Sequence, residues 1–297
     1  MLKDYRSRVI GTYDFLRAAL EEVSGDPQGL LQVVKDADEK MTAAGRSYDP
    51  ARLYPLDFEL TEKATPYHLR ALESHTEMSD VSGAPYVTFG TKPIDLTVPL
   101  YNEFRVTAAA APPLYYIVPA QWQHAIEVIK LHGLKFVTLP AATKLDIESY
   151  RFTEVKWPGG PFEGRLMPSF KTVPVRELRN FPAGSLVVPL AQPAARVAIN
   201  LLEPDAPDSL VHWGFFDAIF EQKEYAENYV LEKLAREMLV MDPKLRDEYQ
   251  QKLASDPKFA GSPRARLEFF YRRSPYWDQQ MGLYPVGRIV TPFNAPR

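Results

Sequence analysis

The sequence predicts an α+β protein: an N-terminal helix pair, a mostly antiparallel β-rich middle with one inserted helix, and a helical C-terminal block. Three observations predict it. Residues 4–44 repeat apolar side chains at helical spacing. From about 54 to 202 the apolar runs shorten and alternate, with Pro and Gly between them. From about 209 the helical spacing returns. The corresponding divisions are 1–46, 47–205 and 206–297.

Residues 4–23 read as one helix. Tyr5, Val9, Thr12, Leu16, Leu20 and Val23 share a face, with Arg6, Arg17, Glu21 and Glu22 mostly elsewhere. Asp26-Pro27 starts a second helix. The Asp side chain accepts from an orphan backbone N–H, and Pro suits the first helical position. This helix carries Leu30, Leu31, Val34 and Met41 to about Ala44, where Gly45 stops it. The same pair recurs at Asp49-Pro50, Asp242-Pro243 and Asp256-Pro257. The expected strands are 67–78, 114–118, 135–139, 147–157, 164–175, 185–189 and 195–202, with Gly159-Gly160-Pro161 as a hairpin turn. The inserted helix covers about 119–132, with Trp122, Ile126 and Ile129 on one face and Gly133 as its stop. The C-terminal block reads as a helical stretch over 210–241, broken near Asp217, then helices over 243–254 and 257–271. From Ser274 the tail reads as extended.

At 297 residues, 45% hydrophobic and 25% charged, the chain has the composition of a globular protein with a sizeable core. A net charge of -3 supplies no basic field, so no nucleic-acid partner is expected. No apolar run approaches the roughly 20 residues of a membrane span. The first residues, Met1-Leu2-Lys3-Asp4-Tyr5-Arg6, lead into an amphipathic segment and not the apolar core of a signal peptide. The chain has no cysteine, which excludes disulfides, thiolate nucleophiles and cysteine-ligated metal.

Few residues suggest chemistry. His68 and His75 are an odd number of residues apart, so on one strand they face opposite sides. His212 stands beside Trp213 in an apolar run and reads as packed and hydrogen-bonded. His124 and Glu127 are three apart on the inserted helix and share a face, as a metal-ligand pair would. His132 lies about 12 Å further along the helix, too far to join the same ion. The pair is therefore expected to be a solvated helix face, and no catalytic or metal-binding residue is assigned. Gly184-Ser185-Leu186 lacks the second glycine of a nucleophile elbow. Arg264, Arg266, Arg272 and Arg273 lie among Phe269, Phe270, Tyr271, Tyr276 and Trp277. Such a cluster either staples the tail or binds a ligand carboxylate by cation–π and charge-assisted contacts. The candidate binding surface is Arg272, Arg273, Tyr276 and Trp277. Trp213, Phe216 and Trp277 are expected to be buried together.

The run Asp208-Ser209-Leu210-Val211, Trp213-Gly214-Phe215-Phe216, Arg272-Arg273-Ser274-Pro275-Tyr276-Trp277-Asp278 and Tyr284-Pro285-Val286-Gly287-Arg288 resembles the C-terminal end of bacterial zinc carboxypeptidase-like proteins, relatives of carboxypeptidase A. Tyr115-Tyr116-Ile117-Val118-Pro119, Pro161-Phe162-Glu163-Gly164-Arg165 and Leu201-Leu202-Glu203-Pro204 extend the resemblance. It implies a region that follows the peptidase domain. Lys3 to Val9, with Thr12-Tyr13-Asp14-Phe15, looks like the last helix of that domain. The family's His-x-x-Glu pair, third zinc histidine and substrate-carboxylate arginine would lie upstream. None has a matching position in this chain; at His124-Ala125-Ile126-Glu127 the family's arginine before the glutamate is replaced by Ile126.

The resulting expectation is a non-catalytic C-terminal portion that supports or shapes a zinc metallocarboxypeptidase. Its partner would be an upstream peptidase domain of the same protein, which acts on peptides. The chain alone is expected to be inactive and to carry no cofactor, with zinc belonging to the parent family. Parent proteins of this kind are often exported. The alternative is a stand-alone peptide- or glycan-binding module. In the first reading the stripe of Tyr5, Val9, Leu16, Leu20 and Val23 is expected to be exposed, loosely docked, or docked against a second copy.

Overall fold

The computed structural model describes residues 3–293, and its architecture is α+β. Asp4 accepts a hydrogen bond from Ser7 N at 2.9 Å and starts α1 (Tyr5–Gly25). Asp26 accepts from Gly29 N at 2.8 Å and starts α2 (Pro27–Ala44), with Pro27 in the first turn. Neither helix has a buried residue. The end of α2 is anchored: Met41 packs on the main core, and the Arg52 guanidinium donates to the Ala44 and Ser47 carbonyls at 2.6 Å each. Gly45 does end α2, but its backbone is right-handed. A Cβ there would stand 1.9 Å from the Leu190 carbonyl oxygen, so close approach of two chain segments, not a left-handed cap, requires glycine. Asp49-Pro50 makes a single turn and no helix: Asp49 accepts from Ala51 N, and the chain passes directly into a strand.

Residues 54–110 form a long arm. β1 (Tyr54–Leu60) pairs antiparallel with β4 (Phe104–Ala110) at its root. β2 (Thr65–Met78) and β3 (Pro85–Leu100) pair antiparallel beyond it. At about 3.4 Å per residue this outer ribbon is roughly 45 Å long. Leu56, Tyr54, Ala108 and Ala110 tie the root to the core. Neither β2 nor β3 contains a buried residue.

The core sheet has six strands in the order β6-β9-β5-β10-β7-β8, with every pairing antiparallel. They are β5 (Tyr115–Val118), β6 (Val137–Thr138), β7 (Thr143–Lys156), β8 (Ser169–Phe181), β9 (Leu186–Pro189) and β10 (Gly287–Ile289). Gly159-Gly160-Pro161, expected as the hairpin turn, is only a bend in the β7–β8 connection; the tight turn is Glu163-Gly164, both at positive φ between the bridged Phe162 and Arg165. α3 (Gln123–Leu131) buries Ala125, Ile126 and Ile129 and is followed by Gly133 at φ +69. Residues 195–202, expected as a strand, are instead α4 (Ala195–Leu202). Ala195, Ala198, Ile199, Leu201 and Leu202 are its buried positions, which is helical and not alternating spacing. β1, β3, β4 and β10 lie outside the expected strands.

The expected helical stretch over 210–241 is three different structures. Residues 210–216 form turns, Asp217–Phe220 is a 3-10 helix, and α5 (Asn228–Met241) follows an extended segment. The irregular backbone lets Leu210, Val211, Phe216 and Ile219 all enter the core. α6 (Pro243–Ser255) and α7 (Pro257–Ala260) are capped by Asp242 and Asp256. The expected helix over 257–271 breaks at Gly261, and Ser262 and Pro263 start α8 (Pro263–Tyr271). Trp213, Phe216 and Trp277 are not buried together. Phe216 is in the main core against Trp122 and Tyr284, at 4.9 and 5.4 Å between ring centroids. Trp213 is half-buried near Phe162, and Trp277 packs edge-on to Tyr271 at 5.3 Å. The segment after Phe220 carries the chain into a separate helical cluster, which places Trp277 apart from the other two rings.

The chain's accessible surface is 20189 Å². A compact monomer of 33.8 kDa would expose about 12,700 Å². α1, α2 and the outer ribbon hold no buried residue.

Candidate functional site

The deepest concentration of polar side chains sits where α4 ends against the core sheet. Glu203 caps α4 and is buried. Its carboxylate accepts from Tyr116 Oη at 2.6 Å, Tyr150 Oη at 2.8 Å and Arg288 Nε at 3.0 Å. Arg288 also donates to Glu148 Oε2 at 2.9 Å and to the Ala111 carbonyl. Tyr284 Oη donates to the Leu202 carbonyl, and Ser149 Oγ bridges the Tyr284 and Val286 carbonyls. β5, β7, β10 and the C-terminus of α4 are thereby joined through one carboxylate.

The electrostatics follow from burial. Burial pushes the Tyr116 and Tyr284 hydroxyls well up, and the Glu203 charge adds to it. Tyr150 is raised for the same reasons. Burial alone would lower Arg288, but Glu203 leads a set of neighbours that reverse the shift and hold it charged. The raised phenols keep their protons and the guanidinium keeps its charge near neutrality. The arrangement fastens the strands together.

The residues singled out in the sequence lie elsewhere. His124 and Glu127 are on the outer face of α3 with their side chains 89% and 65% exposed, and Nδ1 is 3.6 Å from Oε2. Two exposed groups fall short of the three protein ligands of a catalytic zinc site. Among the described residues no group of three or more His, Cys, Asp or Glu side chains could hold a metal ion. His212 is packed: its ring stacks on Phe170 at 4.7 Å, and Nδ1 donates to the Pro168 carbonyl at 3.0 Å. Burial lowers its pKa, partly offset by that hydrogen bond and by Asp205.

Arg272, Arg273, Tyr276 and Trp277 share one end of the C-terminal helical cluster. The Arg273 guanidinium lies 3.8 Å from the Phe269 ring centroid and donates to the Phe269 carbonyl. Arg272 lies over Trp277 at 5.3 Å and pairs with Glu268 at 3.4 Å. Tyr276 is exposed and, with Tyr225, Leu234 and Tyr271, lines a groove of ≈ 440 Å³ beside α5.

The buried network joins residues 85 and 87 positions apart. Its sequence signal was a charge set in an apolar run: Glu203 follows Leu201-Leu202, and Arg288 precedes Ile289-Val290.

No family model matches the chain, and no solved structure matches it. Carboxypeptidase 2 of Trichophyton tonsurans and carboxypeptidase 2 of Trichophyton equinum are each 28% identical to it over 102 residues. The chain is distantly similar to carboxypeptidases. The similarity covers 34% of this chain and 19% of each relative.

Proposed function

We propose that this chain is the non-catalytic accessory portion of a zinc metallocarboxypeptidase-like protein and that it supports or shapes the peptidase domain. The similarity to carboxypeptidase 2 over a third of the chain carries the reading. The buried Glu203–Arg288 network supports it, because it fastens strands together. In this reading residues 206–297 pack on an accessory unit of 47–205, and residues 1–46 belong with the peptidase domain. Zinc, bound by that domain, would polarise the scissile carbonyl and activate water. This chain's residues would hold neither metal nor reacting atoms.

The test has two parts. The purified chain is expected to bind no stoichiometric zinc and to release no C-terminal residue from a blocked peptide. Tight one-to-one zinc binding abolished by His124→Ala overturns that. DNA upstream of the Met1 codon is expected to extend the reading frame into a His-x-x-Glu motif. A stop codon with its own ribosome site there overturns the accessory reading.

The exposed Tyr276 on its groove favours one second reading, a stand-alone peptide- or glycan-binding module. Titration calorimetry with peptides and oligosaccharides tests it, with Tyr276→Ala expected to abolish any binding at this surface.

A further inference from the structure

We infer that residues 221–281 are a separately folding helical unit, inserted into the sheet domain and hinged where the chain leaves and re-enters it. The two ends of the unit meet. The Ile219 carbonyl accepts from Gly282 N at 2.7 Å, and the Gly282 carbonyl accepts from Phe152 N of β7 at 2.7 Å. Gly282 takes φ +68 at this neck, a conformation that favours glycine. The chain leaves the sheet domain after Phe220 and is back in its core at Leu283 and Tyr284.

The packing divides at the same place. Among the described residues, the two apolar clusters around the six-stranded sheet draw no side chain from 221–281, and the two that close the C-terminal helices draw none from outside it. Tyr249, Phe259, Phe269 and Phe270 pack on one another with ring centroids 4.7 to 6.0 Å apart. Leu231, Leu267 and Tyr271 make the second cluster, with Trp277 against it. The unit thus has a core of its own, and domains of roughly 55–65 residues can fold alone.

The two connections are unequal. The outgoing segment, 221–227, has neither helix nor strand and is exposed except at Ala226. The returning segment is fastened to β7: the Arg151 guanidinium donates to the Gln279 and Met281 carbonyls at 3.2 and 2.9 Å. One loose and one fastened connection, with no shared core, make a hinge. Domains joined without a large apolar interface move relative to one another. The residues lining the groove beside α5, Tyr225, Leu234 and Tyr276 among them, all belong to the unit, so the groove moves with it.

The experiment uses the full 297-residue chain. Scanning calorimetry is expected to show two transitions. Phe269→Ala is expected to lower or remove one and leave the other in place, and Phe216→Ala is expected to do the reverse. A single transition that both substitutions shift overturns the separate unit. The chain has no cysteine, so introduced pairs can carry dyes for time-resolved energy transfer. Leu131 and Leu178 are exposed on the sheet domain, and Val240 is exposed on the unit. Leu178→Cys/Val240→Cys is expected to give a broader distance distribution than Leu131→Cys/Leu178→Cys. Equal widths overturn the hinge. None of these results bears on the zinc assay or the upstream reading frame, so the accessory reading stands or falls separately.

Discussion

The six-stranded sheet and the outer ribbon of β2 and β3 use the same kind of sequence and end in opposite physical states. β7 of the sheet and both strands of the ribbon alternate apolar with polar residues. In β7, Ile147 is buried against Ile117 and Phe181, and Phe152 against Phe170 and Tyr284. In the ribbon, Tyr67 sits opposite Val98 and Leu69 opposite Leu96, and among the described residues none buries that ladder. Alternation therefore specifies extended backbone, while coverage comes from segments remote in sequence. An isolated two-stranded ribbon is marginal in water.

The largest expected difference between the two regions is in hydrogen exchange. Amides of β5, β9 and β10 should exchange only through global unfolding, about 5–15 kcal/mol for a domain. Amides of β2 and β3 should open at close to no cost. Equal protection in the purified chain would mean that the ribbon has a covering surface and would erase the contrast.

Next in size are the ion pairs. Arg288→Met leaves Glu203 buried with one partner fewer and should cost about 3–5 kcal/mol in urea unfolding. Lys63→Met, which breaks the exposed 2.7 Å pair with Glu103 in the arm, should cost under about 1 kcal/mol. A comparable loss from both would show that the arm is as desolvated as the core.

The aromatics give a smaller gradation inside the core itself. Phe216→Ala should cost about 3–5 kcal/mol, and the half-buried Trp213→Ala about 2 kcal/mol. The reverse order, measured by urea midpoint, would mean that Trp213 is the better packed ring.

These contrasts also mark what the sequence could disclose. Local signals were legible. Asp26, Asp242 and Asp256, each before a proline, cap real helices. The amphipathic face of α3 was legible too. Features made by distant segments were not. β10 supplies three residues to the middle of a sheet formed mostly more than 100 residues earlier. α4 was misread because Val197 and Ile199 suggest a strand, whereas its burial follows helical spacing. The candidate surface residues were legible as a cluster, but their partners, Glu268 for Arg272 and Phe269 for Arg273, depend on the fold of α8.

The smallest prediction concerns the junction between the two regions. His212 stacks on Phe170 of β8 and feels the charges of Asp205 and of Asp57 in the arm's β1. Burial lowers its pKa below the ordinary value of 6.5. Between its folded pKa and 6.5 the unfolded chain binds more protons than the folded one, so stability rises with pH. The contribution is complete above 6.5 and is lost as pH falls through the folded value. Asp205 has the opposite sign: burial raises its carboxyl above 3.8, so its contribution falls as pH rises through the folded value. As pH falls it therefore opposes the His212 loss, and it is present alike in the wild type and in His212→Gln. Urea midpoints of the wild type should therefore drop between pH 7.5 and 5.5, and those of His212→Gln should drop less. Parallel slopes would mean that His212 is hydrated in solution, and that the root of the arm is as open as the ribbon it supports.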